Sequence, residues 1–356
     1  MKKAIVTGSL GLVGSYISEV LSENSFHVIG IDSDVRAKLF TDISPLSKKQ
    51  INQLNEHSGV KEHYNIDIRD ESSLEKLFSE LIIDGQIEIV VHCAAQPSHD
   101  WAATSPLTDL NINLLGTVFV LENLRKNDYS GLFVHLSTNK VYGDNPNKLP
   151  LHEFDLRFDL DKSHSFYSGI DTTMSIDNCT HSLFGCSKAA SDLYVQEYCR
   201  YFGLKSMILR GGCLTGSRHR GAKLHGFLSY LVKNAINNQE YSIIGYKGKQ
   251  VRDNLHARDI GNLVYSFYQR QSYLTGDDYP IVANIGGGRA NSVSILETID
   301  ILSSCFGLKF PYTFVEKPRI GDHQWYISDF SNLHKLLGWQ PTYSIQEILE
   351  DIINNS

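Results

Sequence analysis

The chain has 356 residues, 42% of them hydrophobic and 21% charged, with a formal net charge of −7. That length holds one large domain or two lobes with a sizeable core, and the acidic balance argues against a nucleic-acid backbone as partner. No apolar run approaches the roughly 20 residues of a bilayer-spanning helix, and the 6 cysteines include no C-x-x-C pair, which argues against a metal site or a disulfide framework.

In chain order, KAIVTG at 3–8 predicts a strand, 14–24 a helix and 26–34 a second strand. Before that helix the N-terminus offers only "AIV" as an apolar stretch, too short for a signal peptide, and a reducing cytoplasm is the expected compartment. DESSLEKLFSELI at 70–82 predicts a helix capped by Asp70 or Ser72, followed by a strand at 87–96, a helix at 113–127 and a strand at 131–143. The strands are continuous β-branched runs rather than alternating ones, which suits a parallel sheet buried on both faces. This βαβ rhythm predicts an α/β, doubly wound parallel Rossmann sheet. Residues 144–180 are rich in Asp, Ser, Asn and Pro without a clear period, and a loop that long is usually functional or disordered. A helix at 185–203 and a strand at 205–212 follow, and a less regular remainder predicts a smaller C-terminal lobe that closes over the sheet. The expected division is residues 1–211 plus 257–285 for the Rossmann domain and 212–256 plus 286–356 for the lobe.

Gly8, Gly11 and Gly14, with Leu12 and Val13 among them, lie between the first strand and the first helix. A tight turn there leaves room for a pyrophosphate at the helix N-terminus, where free N–H groups and the helix dipole favour anions. Asp32 ends the next strand about 20 residues on, as a dinucleotide site requires. Its carboxylate would accept both adenosine-ribose hydroxyls and repel a 2′-phosphate, which points to NAD rather than NADP. Arg36 is placed at the same end of the cofactor, where a cation would favour the phosphate instead. Asp67 and Ile68 fall where an adenine edge would lie. Ala94 and Ala95 fall near the nicotinamide half, although close packing alone would also call for small residues there.

"HCAAQ" with Gln96, Asn113 in "NINLLGT", "STNKVYGD", "HSLFGCSKAASD", "QVRDNLHARD", "NIGGG" and "RIGD" complete a set of motifs spread along nearly the whole chain. Together they resemble the extended short-chain dehydrogenase/reductase family, in its branch of nucleotide-sugar epimerases and dehydratases, and within it most the group of CDP-paratose 2-epimerases. The resemblance implies NAD, held tightly and regenerated each turnover, with Gln96 and Asn113 also placed at the cofactor. It implies a hydroxyl-binding Thr138 and a catalytic lysine at Lys188, with substrate contacts from Asn139. Arg252 and Arg319 would take the substrate pyrophosphate, as a guanidinium fork can, with Lys249 adding charge. The bland alternative for the two arginines is a pair of surface salt bridges, to Asp253 and Asp322. Cys213, three residues after Arg210, departs from the Asn or Ser of several relatives.

The catalytic tyrosine of that family would stand four residues before the lysine, and this chain has Phe184 there. Residues at i and i+4 share one helix face, so 184 and 188 would point together into the cofactor cleft. A phenyl ring offers no proton. Tyr167, Tyr142, His181 and Cys186 are the candidate stand-ins, each with a bland reading as lid residue, packed aromatic, helix cap or inert thiol. The expected activity is that of a nucleotide-sugar epimerase serving polysaccharide synthesis. The rivals are a net oxidoreductase or dehydratase on the same scaffold, and a nucleotide-sugar-binding protein with impaired catalysis. No metal is expected, and a homodimer or higher homo-oligomer is.

Overall fold

The structure is a computed structural model that describes residues 1–35, 37, 44–83, 85–219, 226–318 and 321–355. The apolar runs form strands β1 (Lys3–Thr7), β2 (His27–Ile31), β3 (Val60–Tyr64), β4 (Ile87–His92), β5 (Leu132–Thr138), β6 (Ser206–Gly211) and β7 (Ile281–Ile285). They pair in parallel throughout, in the order β3-β2-β1-β4-β5-β6-β7. The chain reverses its direction of travel across the sheet between β1 and β4, and ligands of such sheets bind in the crevice at that switch point.

Helices on the two faces include α1 (Leu12–Glu23), α2 (Glu71–Ile82), α3 (Gly116–Lys126), α4 (Leu183–Phe202) and α5 (Ala257–Arg270). Within one strand, Ala4 and Val6 pack with Ile17, Leu21, Ile260 and Phe267 of α1 and α5, while Ile5 packs on the other side with Leu74, Phe78, Leu121 and Val195 of α2, α3 and α4. Both faces are therefore buried, which is why the strand sequences do not alternate. The α1–α5 seam is close: a Cβ at Gly261 would lie 2.8 Å from Val20 Cγ2.

Two predicted helices differ at their starts. The one expected from 185 begins at Leu183, because the Ser182 hydroxyl caps it by accepting from the Gly185 N–H at 3.1 Å. Phe184 thereby joins the first turn. The one expected from 113 begins as an α-helix only at Gly116 and is preceded by a π-helical turn, Asn111–Leu115. That turn carries Asn113 inward to its polar partners, a distortion typical of such bulges at functional sites.

The stretch 144–180 is a well-held surface segment. It carries a short antiparallel pair, His152–Glu153 with Phe158–Asp159, and buries Leu160, Ile170 and Met174 against Trp325 and Tyr326. The smaller sheets gather beyond the main one. Val251–His256 pairs with Cys213–Thr215, Ser292–Ser294 and Trp325–Tyr326, and Tyr241–Ile244 pairs with Tyr312–Val315. Leu231, Val232, Leu302, Ile348 and Leu349 form a separate apolar cluster there.

Candidate active site

The cleft begins where β1 turns into α1. Gly8 has φ +70°, a left-handed conformation that favours glycine. A Cβ at Gly14 would lie 2.2 Å from the Gly8 carbonyl oxygen, and one at Gly8 2.7 Å from the Ala94 nitrogen. The three segments thus touch backbone to backbone. Gly11, the N-cap of α1, brings no side chain to satisfy the first-turn N–H groups, which stay directed at the cleft. Asp32, at the end of β2, accepts from the Leu10 N–H at 3.0 Å and from the Asp34 N–H at 2.8 Å, one on each oxygen. Burial pushes its carboxyl up, while the backbone N–H groups of Asp34 and Leu10 pull it down. Each oxygen keeps a further lone pair for a hydroxyl donor.

These residues open into one cavity of about 710 Å³, whose wall includes Leu12, Val13, Asp67, Ile68, Ala94 and Ala95. Asp67 is gripped by the Arg69 guanidinium at 2.9 and 2.7 Å, so its carboxylate is partly committed to its own chain. Further along the same wall stand Thr138 and Asn139 at the end of β5, Phe184 and Lys188 on α4, then Cys213 and Arg252. The Thr138 hydroxyl accepts from the Lys140 N–H at 3.2 Å. Lys188 is buried, and its ammonium donates to the Leu136 carbonyl at 2.6 Å. Burial pulls its pKa down to about 8, against the upward pull of the Asp192, Cys93 and Asp109 side chains. Burial also raises the Cys93 and Cys213 thiols, the latter to about 11, so both stay protonated at neutral pH. Arg252 donates to the Val251 carbonyl at 2.8 Å, and no carboxylate pairs with it among the described residues. The expected alternative partner, Asp253, instead accepts from the Ser328 and Gly288 N–H groups at 2.8 and 3.2 Å.

Several expectations need correction. Gln96 and Asn113 are fully buried but do not line the cavity. The Asn113 amide accepts from the Gln96 N–H at 2.9 Å and donates to the Gln96 carbonyl at 3.1 Å, with Asp109 and Ser187 close by. They brace the segment after β4 against α4. None of the four stand-ins reaches the cavity. The Tyr167 ring lies under the Arg289 guanidinium at 3.7 Å. Tyr142 is buried, donating to Asn284 at 2.7 Å and accepting from Arg210 at 3.1 Å. The His181 ring meets the Val141 carbonyl at 2.7 Å, and Cys186 is exposed. Lys249 pairs with Glu153 at 2.8 Å, away from the wall. Arg36 and Arg319 lie outside the described residues.

The structure adds His99, Lys140 and Asp322 to the wall. Lys140 donates to the Gly321 carbonyl at 2.7 Å. The Nδ1 of His99 meets the Ser182 hydroxyl at 2.6 Å, and its ring packs edge-on to Phe184 with centroids 4.9 Å apart. The sequence held one sign of His99: it opens a short helix, His99–Thr104, capped by Ser98 in the segment that follows β4.

A dinucleotide fits this cleft. The Gly8–Gly14 turn packs backbone against backbone with no side chain between it and the cleft, the α1 N-terminus is left without a side-chain cap, and Asp32 retains acceptor capacity beside it. Comparison with known proteins agrees. The family model "NAD dependent epimerase/dehydratase family" matches residues 4–286. CDP-paratose 2-epimerase of Salmonella typhi is 28% identical over 354 residues, covering 97% of this chain and 96% of that protein. dTDP-glucose 4,6-dehydratase of Escherichia coli is 26% identical, covering 95% of this chain and 88% of that protein. Among solved structures, UDP-glucose 4-epimerase of Bifidobacterium longum in complex with NAD+ and UDP aligns with a TM-score of 0.77 at 20% identity, over 99% of this chain and 98% of that one.

Proposed function

From the premise that this chain belongs to the NAD dependent epimerase/dehydratase family, we propose that it is an epimerase of a nucleotide-diphosphate sugar. A CDP-sugar inverted at carbon 2 is the first candidate, on the likeness to CDP-paratose 2-epimerase, and surface polysaccharide synthesis is the role it would serve. One observation carries the reading. The dinucleotide cradle, the Thr138–Phe184–Lys188 wall and Arg252 open into a single cavity, so a cofactor and a diphosphate-linked sugar can meet there.

NAD is the cofactor of the family, and in the cradle it supplies a reversible hydride acceptor. The protein supplies the remaining functions. Thr138, whose hydroxyl is oriented by the Lys140 N–H, hydrogen-bonds a sugar hydroxyl. Asn139 adds a neighbouring polar contact. Lys188, still mainly cationic at neutral pH because its pKa is about 8, favours negative charge developing near it. Arg252, joined by Arg319, holds phosphate oxygens. Phe184 gives the sugar an apolar face and no proton. A sugar carbon is oxidised transiently to a ketone and reduced from its other face, so the product is a diastereomer with no net redox change. We assign the cofactor to residues 1–211 with 257–285, supported by the tight α1–α5 seam, and the nucleotide sugar to 212–256 with 286–356.

Phe184 favours one second reading, a nucleotide-sugar binder that has lost turnover. Proton NMR of the purified protein with CDP-, GDP-, UDP- and dTDP-sugars, without added NAD, separates the two. A new sugar diastereomer is the expected result. Binding of a sugar by calorimetry with no new diastereomer would reject the epimerase.

A further inference from the structure

Residues 140–147, which follow the hydroxyl-binding Thr138, and residues 321–324 are separated by most of the C-terminal half of the chain. Every residue of the later segment is nevertheless bonded to the earlier one. The Lys140 ammonium donates to the Gly321 carbonyl at 2.7 Å. The Asn147 amide donates to the Asp322 carbonyl at 3.0 Å, and its oxygen accepts from the Gln324 N–H at 2.7 Å. Between those two contacts the buried His323 ring donates from Nε2 to the Gly143 carbonyl at 2.8 Å.

A second donor meets the same Asp322 carbonyl from the smaller lobe. The Tyr246 hydroxyl reaches it at 3.4 Å. Tyr246 stands in a turn of four successive residues, Gly245 to Gly248, whose φ values run from +51° to +76°. Tyr246 and Lys247 are not glycines, and left-handed backbone at such residues persists only where the surroundings fix it. The carbonyl is therefore held from both sides of the cleft.

The segment borders the site directly. Asp322 shares the cavity wall with Thr138, Asn139 and Lys140. Gly321 has φ +83°, and an added Cβ there would lie 3.1 Å from the His99 Nδ1 and 3.7 Å from the Ser182 Cβ, at the cap of α4. Residues 321–324 thus touch both elements that bring Thr138, Phe184 and Lys188 to the site.

We propose that residues 321–324 are a preformed wall for the nucleotide sugar, and that Asn147 is the positioning residue that sets it. One amide meets a carbonyl and an N–H two residues apart, as a residue of a parallel strand would. The segment can then neither slide nor turn over without breaking both bonds. Asn147 does not line the cavity itself, so its effect on a ligand passes through the segment. A wall ordered before the ligand arrives spares binding the cost of ordering it. The dinucleotide cradle at Gly8–Gly14 and Asp32 makes none of these bonds. The inference rests on the reading of the cleft as a nucleotide-sugar site.

The test is Asn147→Ala, with Asn147→Asp as a second variant that keeps an acceptor for Gln324 and offers Asp322 no donor when ionised. Calorimetry with CDP-, GDP-, UDP- and dTDP-glucose should show the conjugate that wild type binds most tightly weakened by about tenfold in both variants. Bound NAD and thermal stability should stay near wild type. With a sugar that wild type inverts, KM should rise by a similar factor while kcat changes little. Tyr246→Phe should give a smaller loss in the same direction. Affinity within twofold of wild type in both Asn147 variants, or loss of NAD and stability together with affinity in both, would overturn the inference and leave the nucleotide-sugar reading in place. A wild type that binds none of the four conjugates would remove that reading, and this inference with it.

Discussion

An added methyl at Gly14 would lie 2.2 Å from the Gly8 carbonyl oxygen, a distance that forces the turn or the helix to move. Gly11 faces only a 3.2 Å approach to the same oxygen and has no positive φ. The two glycines therefore carry different burdens despite their equal place in the motif. Gly14→Ala is expected to strip NAD from the purified protein, read as bound dinucleotide by chromatography after denaturation, while Gly11→Ala should retain more of it. Equal retention in the two variants would show that internal crowding does not set the cradle. At the same scale, Gln96 and Asn113 spend their polar groups within the chain: they join the segment after β4 to the π-turn before α3 and to α4.

At the level of elements, the brace of the site is a buried polar network. Arg210 on β6 grips Asp192 on α4 at 3.0 Å through both carboxylate oxygens. Asp192 also accepts from Ser137 at 2.6 Å and from Gln196 at 2.7 Å. The pair is 7% and 1% exposed, and removing one partner of such a pair typically costs about 3–5 kcal/mol, because the other charge is left buried. Asp192→Ala should lose stability on that order, measured by chemical denaturation. Since Asp192 lies one turn beyond Lys188, it should also disturb the active-site helix. A cost under about 1 kcal/mol would mean that water replaces the carboxylate. The strands and most helices were legible in the sequence because their periods and caps are local signals. The early start of α4 and the π-turn before α3 were not, since each answers to partners brought in by tertiary packing.

For the whole molecule, the centre of the sheet contains a pH-sensitive pair. His92 and His135 stack 5.6 Å apart between the two layers of helices. Burial, with Lys188 nearby, lowers His92 to about 3 and His135 well below its ordinary value. An unfolded histidine titrates near 6.5, so the unfolded chain binds more protons than the folded one below that pH. Their contribution is complete above about pH 6.5 and is lost as pH falls toward 3, with a slope of about 1.4 kcal/mol per pH unit for each group. In urea unfolding the slope should set in as pH falls below about 6.5, and His92→Asn should remove about half of it if the fold is kept. A second expectation concerns the surface. Leu183, Leu193, Tyr194, Tyr201 and Phe202 of α4, with Leu107, Leu110 and Leu115, are all more than a third exposed, and apolar exposure on neighbouring helices favours association. We expect light scattering to give at least twice the 40.1 kDa chain mass, and a monomer at micromolar concentration would reject the oligomer. Among the described residues no helix is long and apolar enough to cross a membrane.

The sequence by itself determined the doubly wound sheet, the glycine turn and the carboxylate at Asp32. All of these rest on short-range patterns, in which a few neighbouring residues constrain the backbone directly. It also showed that position 184 lacks a proton donor. Only the tertiary structure decided what stands beside that ring. His99 and Ser182 are 83 positions apart, and no periodicity or cap relates them. They meet because β4 and β5 are neighbours in the sheet and α4 packs across their ends, a juxtaposition created by folding the chain around its two buried faces.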